Sequence, residues 1–578
     1  MTQSSQPGAP KPRPGKLVTA GLLASLLALL AAALVTTAGA QGPRRNTPLI
    51  QDWSHRHVIF PNNPNRPMTL GGPVDPRVWL AWLQRNAPAF QVSGAQAPSP
   101  APPPVSLFPN RPVKKGFKTD WAVSLGSTSA GNGVAQNMYP AKFSFDVTAQ
   151  PSCTDDFAVF PIATSSARAN IAAFNQLYRG SSPTGSCGTG NPDTMWAYRV
   201  GTGPVQTSPA LSLDGKKVAF VESRSGSSIF HVLTWATGQG IVETPATPGS
   251  GGSSLLSVIY ASNNTNTRSS PFVDYAEDAA YVGANNGYLY KIQPVFGGGT
   301  PAVVASILVT SLQHLTGPVR DPLTGVVFVS DDTNVKAYTS SLAYLGMVTP
   351  SAANGISDPP VVDASNGFVY AVTTNNGSGN AAIAQIQYTY PSFSFGAPVY
   401  GNIGVTRGNY LHTGAFDDKY FTTGPSGGTL YVCGNQGSGG ATKPGLYGFA
   451  FNGGGVIQTS PVLNNDKNLG ATAGQCSPMT EFYNPNHTGP PDVRDKFFVG
   501  HTGGDSIQMW NITTRITANT TLPSAAATAT GGTSGIIVDN YSTAAQASSI
   551  YYGTIATANS PCVAGKVCAV KLTQLILQ

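Results

Sequence analysis

Charge is scarce in this chain. Asp, Glu, Lys and Arg make up 10% of its 578 residues, and apolar runs recur along most of its length, which excludes a charge-solvated disordered polymer. The formal net charge of +7 suggests a nucleic-acid binder only until it is located. From residue 1 to 118, thirteen Lys/Arg stand against Asp52 and Asp75 alone; beyond Lys118, twenty stand against twenty-four Asp/Glu. The folded part therefore has no basic face, and nucleic acid is excluded as a partner. Catalytic signatures are missing too: there is no G-x-S-x-G elbow, H-E-x-x-H, phosphate loop or dinucleotide fingerprint. No CxxC occurs, and no metal site is expected. The two histidines of DWSHRH (residues 52–57) have no further ligands nearby and read as a solvated or docking segment. The pairs Asp331-Asp332 and Asp417-Asp418 read as turns or strand-end caps.

What is present begins with a targeting segment. Lys11, Arg13 and Lys16 precede an apolar run over residues 17–35, followed by Ala38-Gly39-Ala40. This is the layout of a signal peptide cleaved after Ala40; an uncleaved membrane anchor is the alternative, because the run is just long enough to span a bilayer. No cysteine follows it, which removes lipoprotein anchoring. Residues 41–118 are rich in Pro and Arg and form an expected linker, stiff over QAPSPAPPPVSLFPNRP. Within it VDPRVWLAWLQRN predicts one short helix with Trp79, Leu80, Trp82 and Leu83 on its apolar face.

The remainder, 119–578, is built of repeats. Residues 196–238 contain an aromatic-led strand, a Ser-Pro before an apolar strand, an Asp-Gly turn, then KVAFVES and IFHVLTW. Four short strands in forty-odd residues are the content of one propeller blade, and such units bury their faces only by stacking around an axis. Copies start at Pro151, Pro209, Pro271, Pro318, Pro360, Gly414, Pro478 and Gly535. The predicted fold is thus an all-β, eight-bladed β-propeller, or a seven-bladed one if residues 151–188 are an insertion. Trp121 opens WAVSLG, an echo of WAYRVG at Trp196 with no blade before it, so its strand is expected to complete the last blade beside CAVKLTQLILQ and close the ring. The six cysteines are expected to pair as sequence neighbours, Cys153 with Cys187, Cys433 with Cys476 and Cys562 with Cys568, as suits an oxidising compartment; buried free thiols are the alternative.

These copies resemble the quinoprotein-type repeat, with its W-strand, Ser-Pro strand, VYVG-like strand and G-x-LY strand, best at residues 196–238 and 271–292. The whole chain also resembles uncharacterised exported bacterial proteins that join a DWSHRH-like segment to a GGTSGIIVDN-like one, here residues 531–540. That resemblance implies fold and location and no reaction. Quinone dehydrogenases of the wider family carry adjacent cysteines and Trp-bearing docking motifs; neither is found here, and no cofactor is expected.

Residues just before the inner strands gather around one mouth of a propeller's channel. In three successive copies these are cationic or imidazole: Arg268; His314, with Arg320 just after; and Arg407 with His412. They are the candidate site, a polar opening for an anionic or carbohydrate ligand. The functional expectation is an exported, non-enzymatic binding or scaffolding module at the cell envelope, periplasmic or extracellular, whose partner is such a ligand or a cell-envelope protein. It would meet the membrane only through its N-terminal segment, and only if that segment is not cleaved. The alternative is a secreted carbohydrate-active hydrolase or lyase, which requires His314, Arg320, Arg407 and His412 in one pocket with a carboxylate.

Overall fold

A computed structural model describes Met1, residues 47–63, 75–86 and, apart from short loop segments, 116–574. The expected signal segment, the Pro-rich stretch and Arg407 lie outside the described residues. The compact unit is Thr47–Gln578, and it is nearly all β, with 44% strand against 6% helix. Among the described residues no helix is long and apolar enough to cross a membrane.

The strands form antiparallel sheets in sequence order. Sheet 1 holds Ala141–Ser144, Phe157–Pro161, Ile171–Asn175 and Asp193–Tyr198; sheet 2 holds Ala210–Leu211, Lys217–Arg224, Ser227–Thr234 and Ser254–Ser262. Sheets 3 to 7 repeat the pattern from first strands Phe272–Asp274, Val319–Arg320, Val361–Asp363, Ala415–Phe416 and Thr480–Tyr483. Sheets 5 and 6 are joined by a single bridge, Gly404 to Asn435. Sheet 8 takes Ile537–Asp539, Ser549–Gly553 and Lys566–Gln574, and its fourth strand is Phe117–Ser127 (β3), from the other end of the chain. The side chains of Lys571 and Asp120, both fully buried and 2.9 Å apart, tie that last pairing together.

Seven of the eight expected start points precede a first strand. The first does not: Pro151 lies in the loop between Ala141–Ser144 and Phe157–Pro161, and the true first strand follows Tyr139-Pro140. A Pro beside Ser is a loop signal as much as a strand-start signal, and sequence alone does not separate the two.

At five of the starts the marking Ser or Thr has a definite job. Thr207, Ser269, Thr316, Ser477 and Ser534 each accept a hydrogen bond from a second-strand N–H, of Val221, Gly283, Ser330, Gly500 and Gly553 respectively, at 2.7–3.2 Å. These donors are buried, so an unmade bond would carry a desolvation cost. Other start residues stitch neighbouring sheets: Ser208 Oγ accepts from Tyr139 N, and Ser270 Oγ from Ser208 N, both at 2.9 Å.

The apolar core lies between consecutive sheets rather than inside any one. Phe157, Val159 and Trp196 of sheet 1 pack on Val218, Phe220 and Leu233 of sheet 2. Sheets 7 and 8 meet through Phe498, Ile507 and Met509 against Ile550, Val570 and Leu572. Sheet 8 in turn meets sheet 1, where Trp121 and Tyr551 pack with Phe160 and Phe174.

The expected linker departs from its prediction between residues 47 and 86. Leu49–Gln51 (β1) adds antiparallel to the first strand of sheet 1, and Val58–Ile59 (β2) adds parallel to the first strand of sheet 5. Between them Ser54–His57 (α1) makes one helical turn. Trp53 Nε1 donates to Pro271 O beside sheet 3, and Arg56 Nη1 to Glu481 O of sheet 7. The histidines of DWSHRH are engaged by this turn: His55 Nδ1 lies 3.0 Å from Asp52 Oδ1, and His57 Nδ1 lies 2.9 Å from Trp53 O. The predicted helix is Pro76–Asn86 (α2), with Val78, Leu80 and Leu83 buried and Trp79 stacked on Trp82.

Candidate functional site

The loops that lead into the first strands converge on a cavity of about 390 Å³. Its floor is the indole of Trp53 with the His57 ring; its walls come from the starts of sheets 1 to 5 and from Tyr410, ahead of sheet 6. Trp53 reaches this position because residue 317 is glycine. A Cβ there would come within 2.8 Å of the indole.

Two of the expected cationic or imidazole residues, Arg268 and His314, line this cavity. Both are solvent-exposed. Arg268 Nη1 donates to Tyr410 Oη at 2.7 Å, so one of its edges is held while the guanidinium still borders the cavity. Asp332 supplies a carboxylate; burial raises its pKa and nearby His314 works against that rise. Burial holds the His57 imidazole below its usual range, against the pull of Asp358. At neutral pH the floor is therefore an uncharged aromatic surface. Asn137 sits on the wall with φ +71°, a left-handed conformation, and its buried side-chain oxygen has no hydrogen-bond partner among the described residues. A strained, unsatisfied amide beside aromatic rings can take a hydroxyl or N–H from a polar ligand.

The other site residues go elsewhere. Arg320 is a brace between sheets 3 and 4: its Nε is 3.0 Å from Asp274 Oδ2, and Nη2 is 3.7 Å from Glu277. It follows the start motif rather than preceding it, and does not line the cavity. His412 is buried, with Nδ1 2.9 Å from Asp358 Oδ1, whose other oxygen accepts from Thr413 N. Its Nε2 is buried without a partner among the described residues. Of the three described side chains that a channel-mouth hydrolase required, His314, Arg320 and His412, only His314 lines the cavity, and that reading lacks support.

The acidic turns are accounted for locally. Asp331 accepts from the backbone of Thr333 and Asn334, Asp363 from Asn366, and Asp417 caps the short helix Asp418–Thr423 (α3). Among the described residues no cluster of three His, Cys, Asp or Glu could hold a metal ion. The disulfides are Cys153–Cys187, Cys433–Cys476 and Cys562–Cys568, the neighbour pairing. What sequence reasoning missed is the cavity floor, since Trp53 and His57 lie far from the repeats they complete.

The chain matches no family model and no curated protein. Among solved structures it is similar to BamB from Moraxella catarrhalis, at 12% identity and TM-score 0.41 over 79% of this chain and 99% of that one. It is similar also to Sqt1 from Saccharomyces cerevisiae (11%, TM-score 0.44, 80% and 100%) and to the WD40 domain of Toxoplasma gondii coronin (11%, TM-score 0.38, 68% and 83%). At these values nothing about function is carried over from them.

Proposed function

We propose that this protein is an exported β-propeller of eight blades, closed by β3, which serves as a binding or scaffolding module at the cell envelope and takes an anionic or carbohydrate ligand in the cavity floored by Trp53. Ring closure is supported by the packing of sheet 8 on sheet 1 and by a single short segment that reaches sheets 1, 3, 5 and 7 together. Only strands facing a common axis can all touch one such segment. A seven-blade count would make residues 151–188 an insertion, yet they contribute two strands to sheet 1. Export is supported by the three disulfides and by the signal-like residues 1–40, with the Pro-rich stretch as a stalk.

The observation that carries the binding role is the cavity itself, where exposed Arg268 and His314 stand over an aromatic floor. Aromatic faces take sugar rings or apolar ligand surfaces, and a guanidinium with one edge free takes a carboxylate. A thermal-shift screen of uronic-acid and neutral oligosaccharides should find a stabilising ligand whose effect disappears in Arg268→Ala and weakens in His314→Ala. A ligand that binds both variants as well as the parent protein would remove this site from the proposal.

A further inference from the structure

A second constellation lies on the outer half of sheet 2, away from the cavity. Its three outer strands, Lys217–Arg224, Ser227–Thr234 and Ser254–Ser262, bring together Ser257, directly opposite His231, and Glu222, opposite Ile229 and so diagonal to His231. His231 Nε2 is 3.0 Å from Glu222 Oε2, and His231 Nδ1 is 2.7 Å from Ser257 Oγ. Glu222 and His231 are buried, whereas Ser257 is exposed.

Chemistry fixes the protons in this group. Glu222 is held as a carboxylate: against the cost of burial it accepts from His231, from Gly203 N at 2.6 Å and from Arg224, and its pKa is lowered to about 2. A carboxylate only accepts, so Nε2 carries the imidazole proton and Nδ1 presents a lone pair to the Ser257 hydroxyl. Burial holds His231 below its usual range, so at neutral pH the ring is free to receive a proton. The two ring nitrogens are used in the reverse order from the serine-protease triad, with the same assignment of roles.

We propose that Ser257, His231 and Glu222 form a nucleophilic triad that hydrolyses esters with an apolar acyl group. Ser257 Oγ attacks the carbonyl carbon while its proton passes to His231 Nδ1, and Glu222 balances the imidazolium. The ester C–O bond breaks, the alcohol leaves with that proton, and an acyl-serine remains. Water, deprotonated by the same nitrogen, then attacks the acyl carbon, and the acid departs as Ser257 regains its proton. The acyl preference follows from the strand: Leu255 and Ile259 share the Ser257 face, and while Leu255 packs partly on the core, Ile259 is 61% exposed. Ser254–Ser262 ends its sheet, so alternate backbone N–H groups along it are open to the developing oxyanion.

The test is labelling of the full-length protein by an alkyl fluorophosphonate, in which Ser257 Oγ displaces fluoride from phosphorus, followed by peptide mapping and p-nitrophenyl butyrate hydrolysis. Ser257 should label about 10²-fold faster than any other serine, as a positioned base provides. Ser257→Ala, at an exposed site, should lose both label and turnover; His231→Gln should lose the rate advantage. Glu222 and Arg224 are the charged groups facing the ring, so the wild-type labelling rate should fall with a single protonation on the acid side of neutrality. That profile stands even where His231→Gln does not fold. Labelling of Ser257 no faster than that of other exposed serines, a rate without acid-side dependence, or label without ester turnover would overturn the proposal.

Discussion

The segment 47–86 is anchored quite differently at its two ends. At the α2 end, largely buried cations are each held by several partners. Arg77 donates to Ser54 Oγ, to Val273 O of sheet 3 and to Asp75, with the Phe272 ring 4.0 Å from its guanidinium. Arg85 donates to Glu481 of sheet 7 at 2.8 Å, lies 3.6 Å from Asp418 and stacks over Phe421. At the Trp53 end, the same segment contributes a neutral floor to a cavity, and the cation above it has an open edge. Buried charge paired with carboxylates fixes position, while exposed charge with an open edge is left for a ligand. One end holds the segment in place, and the other uses it.

The largest effect should come from breaking the ion-paired end. Arg85→Met leaves Glu481 and Asp418 buried without their cation, and removing one partner of such a group costs about 3–5 kcal/mol. The expected outcome is a lower denaturant midpoint, together with new proteolytic cleavage near α2. Cleavage unchanged from the parent would mean that Trp79, Leu80 and Leu83 hold the helix without the ion pair.

A smaller effect should follow from pH. Burial raises the Asp418 carboxyl to about 6, and Arg85 only partly opposes this. The folded pKa lies above the unfolded one, so the folded state binds the extra proton between about 4 and 6. Stability from this group is greatest at low pH and is lost as pH rises through about 6. Asp418→Asn, which cannot ionise, should therefore gain roughly 1 kcal/mol on the parent protein between pH 5 and pH 7. Paired thermal melts at the two pH values check the sign, and a gap that does not change with pH would place the burial cost elsewhere.

The same two ends show what was legible in the sequence. Sheets 2 to 8 could be read because each start residue and its partner lie close in the chain: Thr207 to Val221, Ser269 to Gly283 and Thr316 to Ser330 are each fourteen apart. Arg268 and His314 were legible for the same reason, since position before a first strand fixes which rim a side chain reaches. Arg320 follows its start motif, and the lost distinction was one of a few residues along the chain. Helix α2 itself was legible from its Pro start and apolar face, but where it and residues 47–63 dock was not, because their partners are remote, with Pro271 218 residues from Trp53 and Glu481 396 from Arg85. A Pro/Arg-rich stretch with remote partners has the composition of a spacer. The triad on sheet 2 was hidden because it has no sequence motif, only a cross-strand register that sets Ser257 opposite His231.

The smallest effect on stability, and the sharpest form of the comparison, belongs to the cavity rim. Arg268 and His314 are exposed, and the polar contact identified for Arg268 is a partly solvated bond to Tyr410. Surface substitutions without a buried partner fall within about 0.5 kcal/mol. Arg268→Ala and His314→Ala should therefore melt with the parent protein while losing ligand-induced stabilisation, the opposite of Arg85→Met, which should melt early with its rim intact. If either rim variant instead destabilises the fold as Arg85→Met does, then that residue is part of the scaffold, and the division between a holding end and a using end fails at that position.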